Sequence, residues 1–113
     1  MVDHIKKSKV ILREERKSRD YRFLSAEINE NGDLVFVGQD LGDSVEGAYG
    51  YTEYEWCWTV KEAEIPKLQN AIGENGEVLN LLEKYFSKEN ADSLYMFLQE
   101  HNVEFTSWSR IGD

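Results

Sequence analysis

One thiol, two imidazoles and a long roster of carboxylates are the groups in this chain with a capacity for chemistry. Cys57 is the sole cysteine, so it can form no intramolecular disulfide and no multi-cysteine zinc site. A nucleophilic cysteine needs a histidine or a helix N-terminus to stabilise its thiolate. The imidazoles on offer are His4, near the start, and His101, at the end of a helical pattern. Nothing in the spacing couples Cys57 to His101, and His101 reads more simply as a helix-end residue whose charge suits the local dipole. Glu53 and Glu55 stand two apart in an extended stretch, on one face and about 7 Å from each other. Desolvated, such a pair could exchange protons with a substrate, but a solvated acidic face is the simpler reading. Asp40, Asp43 and Glu46 raise a hard-cation site, since such ions take carboxylate oxygens. Their every-third spacing fits no calcium loop. The chain has no phosphate-binding glycine loop, hydrolase elbow or zinc motif. No catalytic residue, metal ligand or cofactor is therefore assigned.

Binding is better represented than catalysis. From 38 to 58 the chain carries five carboxylates, no Lys or Arg, and a series of aromatic residues. Aromatic side chains concentrate binding energy at interfaces, and acids select a basic partner. Asp40, Asp43, Glu46, Tyr49, Tyr51, Glu53 and Glu55 are accordingly the expected partner-binding residues.

The element that must position them is the stretch 54–60, Tyr-Glu-Trp-Cys-Trp-Thr-Val. Its large apolar residues alternate with smaller or polar ones, so Tyr54, Trp56, Trp58 and Val60 share one face of a strand. Before it, residues 8–14 read as a short strand with Val10 and Leu12 on one face, and 14–20 as an exposed charged connection. Residues 21–38 read as a hairpin. A two-residue loop at Asn31-Gly32 would oppose Glu30 and Asp33, two like charges. A type I turn with a glycine bulge avoids this and pairs Asn29 with Asp33, Ile28 with Leu34 and Ala26 with Phe36. The second hairpin strand, with Val35 and Val37 apolar as well, is expected to be central and covered on both faces. Residues 38–50, with four glycines, form an irregular loop. Three helices follow near 61–72, 77–86 and 91–101, the first with Pro66 in its first turn and Gly73 as its stop, the last capped by Asn90. A tail from Val103 to Ile111 adds a last strand, with Val103 and Phe105 on one side and Trp108 on the other. The expectation is a single α+β domain spanning residues 1–113, a mainly antiparallel sheet of about five strands with three helices on one face.

Length and composition agree with that. The 113 residues suffice for one core without staples, and six Tyr, five Phe and three Trp argue against disorder. The net charge of −9 is uneven: residues 1–22 hold eight bases and four acids, the rest five bases and eighteen acids. Such a body repels nucleic acid and attracts cationic partners. The basic start lacks interleaved aromatics, so it reads as an internal partner for the acidic body or a solvated loop rather than a nucleic-acid site. Neither a signal-peptide run nor a membrane-length apolar run is present, so a cytoplasmic location is expected, with no membrane partner.

The Tyr-Glu-Trp-Cys-Trp-Thr-Val stretch, Ile65-Pro66, the 105–112 segment Phe-Thr-Ser-Trp-Ser-Arg-Ile-Gly and the 38–42 turn Gly-Gln-Asp-Leu-Gly resemble a group of small, uncharacterised bacterial cytoplasmic proteins. That group carries no established activity, so the resemblance assigns no catalytic residue. In size, acidity and α+β pattern the chain is also similar to immunity proteins that neutralise bacterial toxins. The reading is an acidic, non-enzymatic binding protein that occludes a basic protein such as a toxin. The alternative is a small enzyme or ligand-binding domain with a pocket between the sheet and loop 38–50, using Asp40, Glu53, Glu55 or Arg110. A third reading is a domain that self-associates through a sheet edge.

Overall fold

In the computed structural model, which describes residues 8–42 and 53–112, five strands form one open antiparallel sheet in chain order. These are β1 (Lys9–Lys17), β2 (Asp20–Ile28), β3 (Leu34–Leu41), β4 (Glu53–Val60) and β5 (Thr106–Gly112). Between β4 and β5 come α1 (Ile65–Ile72), α2 (Val78–Tyr85) and α3 (Leu94–Glu100), with 3₁₀ turns at Glu62–Glu64 and Lys88–Ser93. The fold is α+β, and no helix among the described residues is long and apolar enough to cross a membrane.

The β2–β3 hairpin is the element that local sequence decides most completely. Gly32 sits at φ 83, a conformation that costs a residue with a Cβ but not glycine. The Asn29 amide donates to the Asp33 carbonyl and the Gly32 amide to the Asn29 carbonyl. The Asn29 side-chain oxygen accepts from the amides of Asn31 and Asp33, closing the turn a second time. The resulting register pairs Ile28 with Leu34 and Ala26 with Phe36, as the bulged turn requires. Asp33, 8 % exposed, then takes the Glu62 amide at 2.9 Å and faces Lys61, which ties the turn to the chain leaving β4.

Alternation sends one set of side chains under the helices. Val10, Leu12, Leu24, Ala26, Leu34, Phe36 and Val60 meet Leu68, Leu79, Leu82, Leu94 and Leu98 in a single core. Each large side chain fully buried there stabilises the fold by about 1.5–3 kcal/mol before entropy is charged. The opposite sheet face has no covering layer among the described residues: Ile11, Val37 and Trp108 are 48 %, 38 % and 55 % exposed. β3 is central, as expected, but among the described residues it is covered on one face only. No second layer among the described residues lies over its Val35 and Val37, and a pleated, half-exposed surface favours such β-branched residues.

Three local expectations are corrected. Residues 14–17 extend β1 rather than forming a connection, and β1 turns into β2 through Ser18 and Arg19 alone. The charges suit an edge strand, where they oppose pairing with another chain, and they find cross-strand partners: the Tyr21 hydroxyl donates to Glu14 while Arg16 lies 4.7 Å over its ring. Gly38 to Leu41 likewise continue β3 instead of opening a loop. Asn90 does not cap α3; it lies inside the Lys88–Ser93 turn, where its carbonyl accepts the Ser93 hydroxyl, and α3 starts at Leu94.

Candidate functional site

Alternation on β4 carries its two kinds of side chain to opposite sides of the sheet, and each side has a distinct surface. On the helix side Val60 is fully covered, while Trp58, Trp56 and Tyr54 are only half-buried as the helical layer gives out. Their rings run in series: Tyr54 to Trp56 at 5.3 Å, Trp56 to Trp58 at 6.4 Å, Trp58 to Tyr95 of α3 at 5.1 Å. Phe105 backs the last pair. Opposite Trp56 on β3 stands Gly38, and the indole lies against it. A Cβ there would come within 2.0 Å of Trp56 Cε2, so the strand needs glycine at this point. The indole Nε1 is buried and has no acceptor among the described residues.

Beside these rings runs a chain of alternating charges. Asp40 is paired with Arg22 across β2–β3, their side chains 3.5 Å apart. Arg22 also reaches Asp92 at 3.5 Å, and Arg13, 9 % exposed, donates to Asp92 at 2.7 Å. The hydrogen bond to Asp92 raises the Arg13 pKa, and the same bond holds the Asp92 carboxyl below its usual range. The basic N-terminal strands thus do supply internal partners for acids. Arg13, Arg22, Asp40, Trp56, Trp58 and Tyr95 line a cavity of about 110 Å³. It adjoins a trough of about 300 Å³ that runs past Tyr54 to Ser107, Trp108 and Ser109 of β5.

Burial raises the Asp40 carboxyl above its ordinary value, by more than Arg22 lowers it. A carboxyl with a raised folded pKa adds stability below its unfolded value and loses that contribution as pH rises through the folded one. Ionised Asp40 is therefore a net cost at neutral pH. Asp40→Asn is expected to unfold at the same or a higher urea concentration than wild type at pH 7, the difference shrinking as pH falls toward about 4. A clearly lower urea midpoint at pH 7 would mean that the Arg22 pair outweighs desolvation.

The open side carries Glu53 and Glu55. One row crosses all five strands as Ile11, Ser25, Val37, Cys57 and Trp108. The next reads Glu14, Phe23, Gln39, Glu55 and Arg110, and Glu53 lies beyond it, paired with Leu41. Arg110 donates to Glu55 and holds its carboxyl below the usual range, and Gln39 donates to Glu53 at 3.0 Å.

Of the expected partner-binding residues, the sheet brings Glu53 and Glu55 together and puts Asp40 on the other side. Asp43, Glu46, Tyr49 and Tyr51 lie outside the described residues. Asp40 emerges on the opposite face of the sheet from Glu53, Glu55 and Arg110, and most of loop 38–50, which was to close a pocket over the sheet, lies outside the described residues. Cys57 faces the open side beside Val37 and Trp108, whereas His101 packs at 4.3 Å on Phe97 in the helical layer. The sheet separates the two. No three His, Cys, Asp or Glu side chains among the described residues cluster closely enough to hold a metal ion.

Trp108, Arg13, Arg22, Tyr95 and Asp92 were not singled out for either surface. For Trp108 the signal was present in its alternation against Phe105. For Arg13 and Asp92, 79 residues apart, no local pattern announces the pair. No protein-family model, curated protein or solved structure matches the chain.

Proposed function

We propose that the protein is a non-enzymatic binding protein of the immunity or inhibitor type, which occludes a basic protein such as a toxin. What carries this reading is the juxtaposition on the open sheet face of two neighbouring carboxylates, Glu53 and Glu55, with the 55 %-exposed indole of Trp108. A rigid aromatic anchor beside selective charge is the composition of an interface centre and its rim. The apolar row through Ile11 and Val37 extends the contact, and the absence of any base from 38 to 58 keeps the field near β4 negative. The mechanism is steric occlusion by the open sheet face, reinforced by charge complementarity. Arg110 already engages Glu55, so an incoming cation shares or displaces that partner, which places selectivity in the Glu53–Glu55 pair. A cytoplasmic location is in keeping with this role.

Charge reversal tests it. The tagged full chain is expected to capture a basic protein from the lysate of its own cell, and the double variant Glu53→Lys, Glu55→Lys to lose that protein while unfolding at the wild-type urea concentration. An acidic partner, or undiminished capture by the double variant, would contradict the reading.

A further inference from the structure

The groove on the helix side of the sheet meets the proposed partner face at Trp108, which lines its far end, and from its chemistry we infer that it binds a neutral sugar ring. Three observations converge. The first is its wall: Tyr54, Trp56, Trp58 and Tyr95 form a continuous aromatic series along one side. An aromatic face is the negative pole of its quadrupole. It therefore takes ligands that present polarised C–H bonds, as the axial face of a pyranose does. The second is charge. Arg13, Arg22, Asp40 and Asp92 are two cations and two anions bonded in alternation, so the groove carries no net charge from them. A cationic or anionic guest would have to break an internal pair, whereas a hydroxyl can accept from a guanidinium and donate to a carboxylate without doing so. The third is the indole of Trp56. Its buried N–H lacks an acceptor among the described residues, an omission that costs about 1–3 kcal/mol and that a hydroxyl oxygen would repair.

Gly38 belongs to the same arrangement, because only a residue without a Cβ lets the indole lie against β3 and keep the groove open. The adjoining trough of about 300 Å³, with Ser107, Trp108 and Ser109 at its far side, reaches the size of small-ligand pockets.

The test is a titration of the full ¹⁵N-labelled chain with methyl glucoside, methyl galactoside, methyl mannoside and N-acetylglucosamine, each to about 50 mM, in the range where millimolar affinities saturate. The three tryptophans give three indole N–H signals. At least one sugar is expected to move the Trp56 and Trp58 signals, and to move them more than that of Trp108 at the far end of the trough. Trp56→Phe, which keeps a ring but removes the donor, should weaken binding about three- to tenfold when followed at Trp58. Tyr95→Leu, at a residue 42 % exposed in the free protein, should weaken it with little consequence for folding. No movement with any of the four sugars overturns the assignment. So does movement with sodium acetate or arginine amide in their place, or sugar binding that Trp56→Phe and Tyr95→Leu both leave unchanged. None of these outcomes bears on the carboxylates of the partner face, since Glu53 and Glu55 lie across the sheet.

Discussion

Replacing Phe36 by alanine is expected to lower the free energy of unfolding by about 3–5 kcal/mol, while Val37→Ala, one residue along, should cost less than about 1 kcal/mol. Phe36 is fully buried, pairs with Ala26 and Trp58 across the two neighbouring strands, and packs on Trp58 at 5.9 Å. Its removal leaves a cavity with rigid sheet on two sides, where collapse is difficult. For a domain stable by only about 5–15 kcal/mol, that is a large fraction of the total. Val37 faces the open side at 38 % exposure, and its loss opens no void. Urea denaturation of both variants measures the contrast. Equal and large losses would mean that a second layer covers the open face, and the description of the sheet as one-sided would be wrong.

Trp108→Ala should have the largest effect on association. An indole at the centre of an interface contributes about 2 kcal/mol or more when truncated, so the dissociation constant for the captured partner is expected to rise about thirtyfold or more. The change should fall mainly on the dissociation rate, since packing rather than steering is lost. Stability should move by no more than about 0.5 kcal/mol, because β5 is an edge strand and the side chain is more than half exposed. Surface plasmon resonance and urea melts of the same preparation separate the two effects. Unchanged affinity would remove Trp108 from the partner surface.

How far such residues could be found without coordinates depended on the range of the forces that place them. The β2–β3 register follows from Asn29, Gly32 and Asp33, whose interactions span four residues, and it was legible to the residue pair. The two faces of β4 and the stop of α1 at Gly73 were equally local. Gly38 was different. Surrounded by Gly42, Asp40 and Asp43, it looks like part of a loop, yet it is a strand residue kept free of a Cβ by an indole arriving from β4. That reason lies eighteen positions away, and with it went the side of the sheet on which Asp40 would emerge. The charges of Glu14 to Lys17 misled in the same way, since an edge strand and an exposed loop both carry them. The joining of Arg13 and Arg22 to Asp92 depends on the whole topology, and so does the difference between a row of apolar residues that is covered and one that is not.

The central claim is that negative charge on β4 draws a basic protein to the uncovered sheet face. Its most direct test is the association rate constant of the captured partner as sodium chloride is raised from about 0.05 M to 0.5 M, a range over which the screening length shortens from about 14 Å to about 4 Å. The account predicts a fall of about tenfold or more for the wild-type chain and a markedly shallower dependence for Glu53→Gln, Glu55→Gln. An association rate that does not respond to salt, or one that responds identically in wild type and double variant, would contradict it.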